Sequence, residues 1–314
     1  MPEETLAKEN LYSKYKYIWE QLDNTMDSLF WFVQQYPVVK MDDFGNITVA
    51  NTTEEAIPAF CCHLDTVQRK EPDLELINNQ VLMSMNDVGV GGDDKCGIVA
   101  CLELLQRVPC KCLFFRDEES GCRGSSKFDA ESLKNNLFCI EIDRRGASDL
   151  IFSGSRGCMC NDEFKERVKT FFPHCKAAQG SLTDVCVLGE AEINMMNLSA
   201  GYYRPHTDKE YVVLPELELN IDCLERLAKD IIENPLQDKK YKRSTISYGY
   251  SGKSETKSTW KSYAGGSELF PATTSAGEDD YYQCQYGHRK NEPEEDINKS
   301  IEEYYRRQEK GHLK

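Results

Sequence analysis

Between residues 11 and 35, apolar and aromatic side chains recur at helical spacing, at Tyr15, Ile18, Trp19, Leu22, Met26, Leu29, Phe30 and Val33, and Pro37 closes the run. One amphipathic helix is predicted there. The stretch VVKMDDFGNITVAN alternates around an FGN turn, the pattern of a hairpin, and IPAFCCHLDTV is an apolar run that opens into a polar loop, the pattern of a buried strand. A second hairpin is predicted in LELINNQVLMSM. After it come a Gly-rich loop (GVGGDD), a helix from about Lys95 to Gln106 and a strand in KCLFFRDEES. The pattern repeats as helix, strand (NLFCIEID), helix and strand, and a helix from about Pro215 to Asn234 closes it. Alternating helices and buried strands predict an α/β fold, a three-layer sandwich around a mixed, largely parallel central sheet flanked by helices. Ligands gather at strand ends in such sheets. HLD, DEE and EID each follow a short apolar run.

Beyond Lys239 the chain turns to Ser, Thr, Gly, Lys, Tyr and acidic residues with few aliphatics. Such a composition does not bury enough apolar surface to offset its ordering entropy. The predicted division is therefore a catalytic domain over residues 1–238 and a flexible, low-complexity tail over 239–314, with a solvated helix near its end supported by Glu to Arg pairs at i,i+4. No internal repeat is visible.

A formal net charge of −15 argues against nucleic acid or an anionic membrane as partner, because both reward Lys and Arg clusters. The N-terminal stretch has no basic segment leading into an apolar run, and no later segment offers about 18 uninterrupted apolar residues. A cytoplasmic location is the expectation. Fourteen cysteines would suit a disulfide framework, yet several lie in strand-like runs such as AFCCHLD and CKCLFF, so buried reduced thiols are expected. The C-x-C pairs Cys110/Cys112 and Cys158/Cys160 lack the spacing of a zinc ribbon.

Chemistry concentrates at the strand ends. His63 with Asp65 in HLDT fits a metal-binding imidazole whose second ring N–H is held by a carboxylate two residues on. The adjacent carboxylates of GGDDKCG, Asp93 and Asp94, suit a pair in which one bridges two ions and the other tunes it, although adjacent Asp residues more often cap helices or line turns. Glu118 and Glu119 in DEES can divide the two carboxylate jobs of a hydrolytic site, holding a metal and moving a proton. Asp143 ends another buried strand, where its ordinary role would be a salt bridge to Arg144 or Arg145. His206, in RPHTDKEY, lies on a polar loop where a solvated histidine is unremarkable. Taken together, two imidazoles and three carboxylates suit a pair of divalent ions, zinc first, with cobalt or manganese as substitutes.

The motifs HLDTV, GGDDKCGIVA, DEESGCRGS, EID and NLSAGYYRPHTDKEYV, spread over roughly residues 55 to 235, resemble those of peptidase T and the wider family of co-catalytic zinc aminopeptidases, dipeptidases and carboxypeptidases. The resemblance implies that His63 and Asp143 complete one metal, that Glu119 and His206 complete the other, and that Asp93 bridges. It further implies Glu118 as general base, Asp65 as the group orienting His63, a cis bond between Asp93 and Asp94, and, from GSLTDVCVL, a supporting place behind the ligands for Asp184. The implied activity is hydrolysis of small peptides from the N-terminus, and Asp143 in place of Glu resembles the aminopeptidase and dipeptidase branches.

The chain departs from peptidase T in one respect. Only about sixty residues separate Asp143 from His206, too few for the lid or dimerisation domain inserted there in those enzymes. Tripeptide specificity therefore does not carry over. Arg156, in SGSRG, and Arg204 are candidates for a substrate carboxylate or the oxyanion, with an exposed salt bridge as the alternative for each. The other readings are an N-acyl amino acid deacylase or carboxypeptidase with the same metals, and a catalytically silent scaffold whose tail binds a partner. Oligomeric state is left open.

Overall fold

The computed structural model describes residues 10–21 and 26–243. In place of one opening helix there are three, α1 (Leu11–Lys14), α2 (Lys16–Trp19) and α3 (Met26–Val33). Tyr15 breaks the first run with φ −117° and ψ 29°, and its hydroxyl donates to the buried Glu103 carboxylate at 2.7 Å. The apolar period still identifies the inward side, since Tyr15, Ile18, Trp19, Leu29 and Val33 are all buried. A hydrophobic stripe specifies which side chains face the core, not that the backbone carrying them is continuous.

The chain continues through β1 (Val38–Met41), β2 (Ile47–Ala50), β3 (Ala59–His63), β4 (Leu74–Ile77), β5 (Val81–Ser84), α4 (Gly92–Arg107), β6 (Lys111–Phe115) and β7 (Cys139–Arg144). It then forms β8 (Asp149–Gly154), β9 (Gly157–Cys158), α5 (Asp162–Phe171), β10 (Lys176–Gln179), α6 (Asp184–Val187), β11 (Met195–Ser199), β12 (Tyr202–Tyr203), β13 (Tyr211–Val213) and α7 (Leu214–Glu233). Both predicted hairpins form, β1 with β2 and β4 with β5. The second is closed by a three-residue connection, with Asn78 and Asn79 at positive φ and the Gln80 N–H donating to the Ile77 carbonyl at 3.0 Å.

The large sheet runs β1-β2-β6-β3-β7-β11-β8-β10, with β9 on β8. Its centre, β6-β3-β7-β11, is parallel, while β1, β2 and β8 pair antiparallel toward the margins. The mixed α/β sheet expected from the strand pattern is thus present. Between β6 and β7 the expected helix is replaced by 3-10 turns at Ser125–Lys127 and Ala130–Leu133. The chain doubles back there, with Arg123 and Gly124 N–H groups donating to the carbonyls of Asp117 and Arg116, which leaves those donors unavailable for a helix.

One sheet face, carrying Phe60 and Cys62 of β3, packs against α4, α5 and α7, and the other, carrying Ala59 and Cys61, packs against α6 and the 3-10 turns. Helix α4 is buried on nearly every side, because α7 covers the flank that the sheet leaves open. A helix with such surroundings needs apolar residues all round, and Ile98 to Leu105 supply them apart from Glu103. A second, antiparallel sheet, β12-β13-β5-β4, adds the inward-facing Leu82, Val212 and Tyr202 to the same core.

Among the described residues no helix is long and apolar enough to cross a membrane. All thirteen described cysteines are free thiols, and only Cys158 and Cys175 are not buried. Of the tail expected from residue 239, the part up to Arg243 is held by the domain. Tyr241 N–H donates to the Glu192 carbonyl at 2.8 Å, and the Arg243 guanidinium donates to the carbonyls of Val185 and Cys186 in α6. The remainder, with the helix predicted near its end, lies outside the described residues.

These contacts set a boundary that can be tested. Arg243→Ala should lower the unfolding free energy by about 1–3 kcal/mol, the cost of leaving buried acceptors unpaired. A chain cut after Arg243 should melt like the full chain, whereas one cut after Gln237 should melt lower. Identical thermal melts for all three would remove the role of this segment.

Candidate metal centre

The parallel register brings the candidate residues together. Cys61 of β3 lies opposite Glu141 of β7, and because side chains alternate along a strand, His63 and Asp143 emerge two residues later on one face, at the C-terminal ends of neighbouring strands. Their nearest atoms, Nε2 and Oδ1, are 3.8 Å apart. On the other side of β3, His63 pairs with Phe115 at the end of β6, and the loop that follows carries Glu118 and Glu119. The connection through α4 covers one sheet face and the next connection covers the other. The site therefore occupies the crevice where successive crossovers part, the usual ligand position in such sheets.

Asp93 and His206 arrive from the second sheet. Strand β5 leads into the loop before α4, β13 follows the loop bearing His206, and β5 pairs with β13. Asp93 then stands between the two imidazoles, with Oδ1 3.0 Å from His63 Nε2 and Oδ2 3.1 Å from His206 Nε2. Glu119 Oε1 is 2.8 Å from His206 Nε2. His63, Asp93 and Asp143 bring donor atoms within 4.8 Å of one another, as do Asp93, Glu119 and His206, and Asp93 belongs to both groups. A third combination, His63 with Glu118 and Glu119, meets the same distance. The bond between Asp93 and Asp94 is cis.

The surrounding contacts differ in detail from the expectations. The His63 Nδ1 partner is the Asp65 main-chain carbonyl at 2.9 Å, with the Asp65 carboxylate farther off at 3.5 Å. That carboxylate instead accepts the N–H groups of Glu118 and Glu119 at 3.0 and 3.1 Å. Asp65 thus holds both the histidine and the glutamate loop. Asp94 is fully buried and accepts N–H groups from His63 at 3.3 Å and Gly97 at 2.9 Å. Asp184, also fully buried, accepts from the Ser125 hydroxyl and, among the described residues, from no group at Oδ2. Asp143 takes a hydrogen bond from the Tyr202 hydroxyl at 2.9 Å, while Arg144 pairs with Asp149. Arg156 is exposed on the turn between β8 and β9, and Arg204 is exposed on the loop two residues before His206.

Tyr202 and Glu210 were not singled out from the sequence. Glu210 is buried and accepts the N–H groups of Gly91 at 2.6 Å and Asp93 at 3.0 Å. Its signal was available only as an acidic residue four positions after His206, within a polar stretch.

The electrostatics reflect carboxylates crowded out of water. Burial works against a charged His63, but Asp143, Asp65 and Asp93 reverse this and hold it well above the usual imidazole value. Burial likewise opposes charge on His206, yet Asp93 and Glu119 raise it to about 10. Burial raises Asp93, and the two imidazoles overcome that to hold it below the ordinary carboxylate range. Burial followed by repulsion from Asp93 and Asp94 raises Asp143 well above that range. Burial lifts Glu118 to about 8, with Asp184, Glu119 and Asp93 adding to it, and burial lifts Asp184 to about 7. Such a set takes up protons when no cation lies between its members. Hard carboxylate oxygens and imidazole nitrogens at these separations suit zinc and similar divalent ions.

No family model matches the chain, and no curated protein matches it. Solved structures do. The aminopeptidase PepT from Bacillus cereus is similar over 71% of this chain and 98% of its own, with TM-score 0.63 and 14% identity. A tripeptidase from Staphylococcus aureus is similar over 71% and 98%, with TM-score 0.57 and 15% identity. A TET aminopeptidase from a marine sediment archaeon of the Thaumarchaeota is similar over 70% and 96%, with TM-score 0.57 and 12% identity. This chain has the fold of those peptidases.

The raised groups make stability depend on pH in a definite direction. His206, raised from 6.5 to about 10, contributes stability that is complete below its unfolded value and is lost as pH climbs through its folded one. Glu118 and Asp184, raised to about 8 and about 7, also favour the protonated fold and lose that contribution as pH rises. Metal-stripped protein should therefore melt at progressively lower temperature from about pH 6 to about pH 9. Added zinc or cobalt should raise the melting temperature and flatten the dependence, because the cation replaces the protons. A flat or rising profile in the stripped protein would contradict the charge assignment.

Proposed function

We propose that the chain is a dinuclear metallopeptidase that removes residues from the N-terminus of small peptides. The observation that carries this reading is the bridging position of Asp93, whose two oxygens each face a different imidazole at 3.0 and 3.1 Å. His63 and Asp143 would complete one ion site, and Glu119 and His206 would complete the other. A pair of divalent ions held there, zinc foremost, would supply a water of near-neutral pKa and polarise the scissile carbonyl.

The protein's own groups do the rest. Glu118 takes a proton from the attacking water and delivers it to the leaving amine nitrogen, so that the C–N bond breaks as the new C–O bond is kept. Its burial and raised pKa suit a carboxylate that must accept and then release a proton near neutrality. Glu119 is favoured as the ligand because its Oε1 already meets His206 at 2.8 Å. Asp65 fixes the peptide planes ahead of both glutamates. Asp94 and Tyr202 hold His63 and Asp143, and Asp184 adds negative charge behind Glu118.

The fold shared with the aminopeptidases and the tripeptidase supports peptides as the substrate class. Residues between Asp143 and His206 form β8 to β12 with α5 and α6, largely strands and helices of the main domain. That arrangement favours a site without an inserted lid, and hence one not confined to tripeptides. Arg204, on the His206 loop, remains the nearer of the two arginines in sequence to a donor residue and is the candidate for contact with substrate.

Two isosteric variants test the division of labour. Glu118→Gln should retain two metal equivalents and lose about 10²- to 10⁴-fold in turnover, the usual range for general acid–base catalysis. Glu119→Gln should lose metal first. Metal analysis and hydrolysis of a panel of free and N-blocked peptides read both properties. Full activity in Glu118→Gln would remove it as the base, and preference for N-blocked substrates would transfer the reading to a deacylase or carboxypeptidase.

A further inference from the structure

The Gly-rich loop before α4 surrounds a buried side chain that comes from a distant part of the sequence. Glu210, 2% exposed and immediately before β13, directs Oε2 at the Gly91 N–H at 2.6 Å and Oε1 at the Asp93 N–H at 3.0 Å. Alternate donors along one loop therefore meet the two oxygens of one carboxylate. The glycines make room for this grip. A Cβ at Gly89 would stand 2.9 Å from Glu210 Oε2, 2.5 Å from the Thr207 carbonyl and 2.4 Å from Gln68 Nε2. Gly91 adopts φ +71°, which turns successive N–H groups toward the same side.

The geometry points to Glu210 as the positioning residue of the metal centre, setting where the bridging Asp93 stands relative to both imidazoles. This inference rests on the dinuclear reading above. His206 is four residues upstream on the same loop, and its Nε2 meets Asp93 Oδ2 at 3.1 Å. The segment 206–210 consequently touches Asp93 twice, at its side chain through His206 and at its main chain through Glu210. Freedom in either contact changes the spacing of the two ion positions. Lys95 supplies positive charge beside Glu210, and its Nζ is itself held by the Trp19 and Val90 carbonyls at 2.7 and 3.0 Å. The alternative, a purely structural link between β13 and the loop, would affect folding without affecting metal affinity.

Glu210→Gln separates the two roles. One amide oxygen still accepts one N–H, but the amide NH₂ then opposes the other, so the loop loses one anchor. Cobalt(II) alone, titrated into stripped and dialysed full-length protein, is followed by calorimetry and by the visible absorption of the bound ion. The expected result is a folded protein by circular dichroism whose affinity for at least one of two cobalt ions falls about 10- to 100-fold, the usual effect of losing a group that orients a ligand. Glu103→Gln serves as the comparison, since that buried carboxylate binds Lys14, Tyr15 and Arg107 at the other end of α4. It should melt lower and bind cobalt as tightly as the parent. Glu210→Asp, which keeps the charge but shortens the reach, should also lose affinity and provides the measurement if the Gln variant does not fold. Cobalt bound by a folded Glu210 variant as tightly as by the parent overturns the inference, as does failure of both variants to fold, which would assign Glu210 to folding. Failure of the parent to bind two ions overturns the dinuclear reading itself.

Discussion

Charge balance around Asp93 governs the arrangement of everything near it. Its two oxygens are shared between His63 and His206, while Asp143, Glu119, Asp94 and Glu118 bring further negative charge into a region largely withdrawn from water. Burying an unpaired charge is expensive, and two imidazoles do not neutralise this many carboxylates. Protons take up the difference on Glu118 and Asp143, whose pKa values are pushed upward. On the proposed reading, divalent cations would serve the same need with fewer particles, which would make the placement of each donor a compromise between mutual repulsion and a common positive centre.

The side chains that the fold brings together at the candidate site were legible in the sequence because their chemistry and their positions coincided. Each of HLD, DEE and EID follows an apolar run long enough to be a buried strand, and parallel neighbours deliver such endings to one edge of a sheet. His63 and Asp143 meet for that reason. The second sheet was much less legible. Its β4–β5 hairpin was plain from alternation around Asn78 and Asn79, but β12 and β13 are two and three residues long, too short for a period to emerge. Their pairing with β5 is a long-range choice made by packing of Leu82, Val212 and Tyr202. Glu210 was missed with them, since its meaning depends on that pairing. The opening helix failed differently: Tyr15 satisfies the apolar period yet is fixed by a hydrogen bond to Glu103, and local periodicity carries no information about a partner 88 residues away.

Low identity to structures of the same fold follows from how the domain is constrained. The parallel strands need only apolar bulk on both faces, and volume-conserving exchanges there are widely tolerated. Close approaches are far less forgiving. Gly97, in the first turns of α4, would carry a Cβ only 2.5 Å from the Ile142 carbonyl and 2.3 Å from Asp94 Oδ2. The helix reaches β7 because that position has no side chain, and Asp94 reaches His63 as a result. Short motifs separated by freely varying strands are the expected outcome.

Glu118 and Glu119 are chemically identical neighbours, and nothing in their covalent structure makes one a base and the other a ligand. Asp65 breaks that equivalence. By accepting one main-chain N–H from each residue, its carboxylate indexes the loop, much as a bulge fixes the register of a strand, so that the Glu119 carboxylate meets His206 and the Glu118 carboxylate accepts from the Cys122 thiol within reach of His63. A slip of one residue there would put Glu118 where Glu119 stands and bring the shorter Asp117 to the place of Glu118. On the proposed mechanism, which glutamate carries the proton is thus set by the phase of the loop against Asp65 rather than by the glutamates themselves.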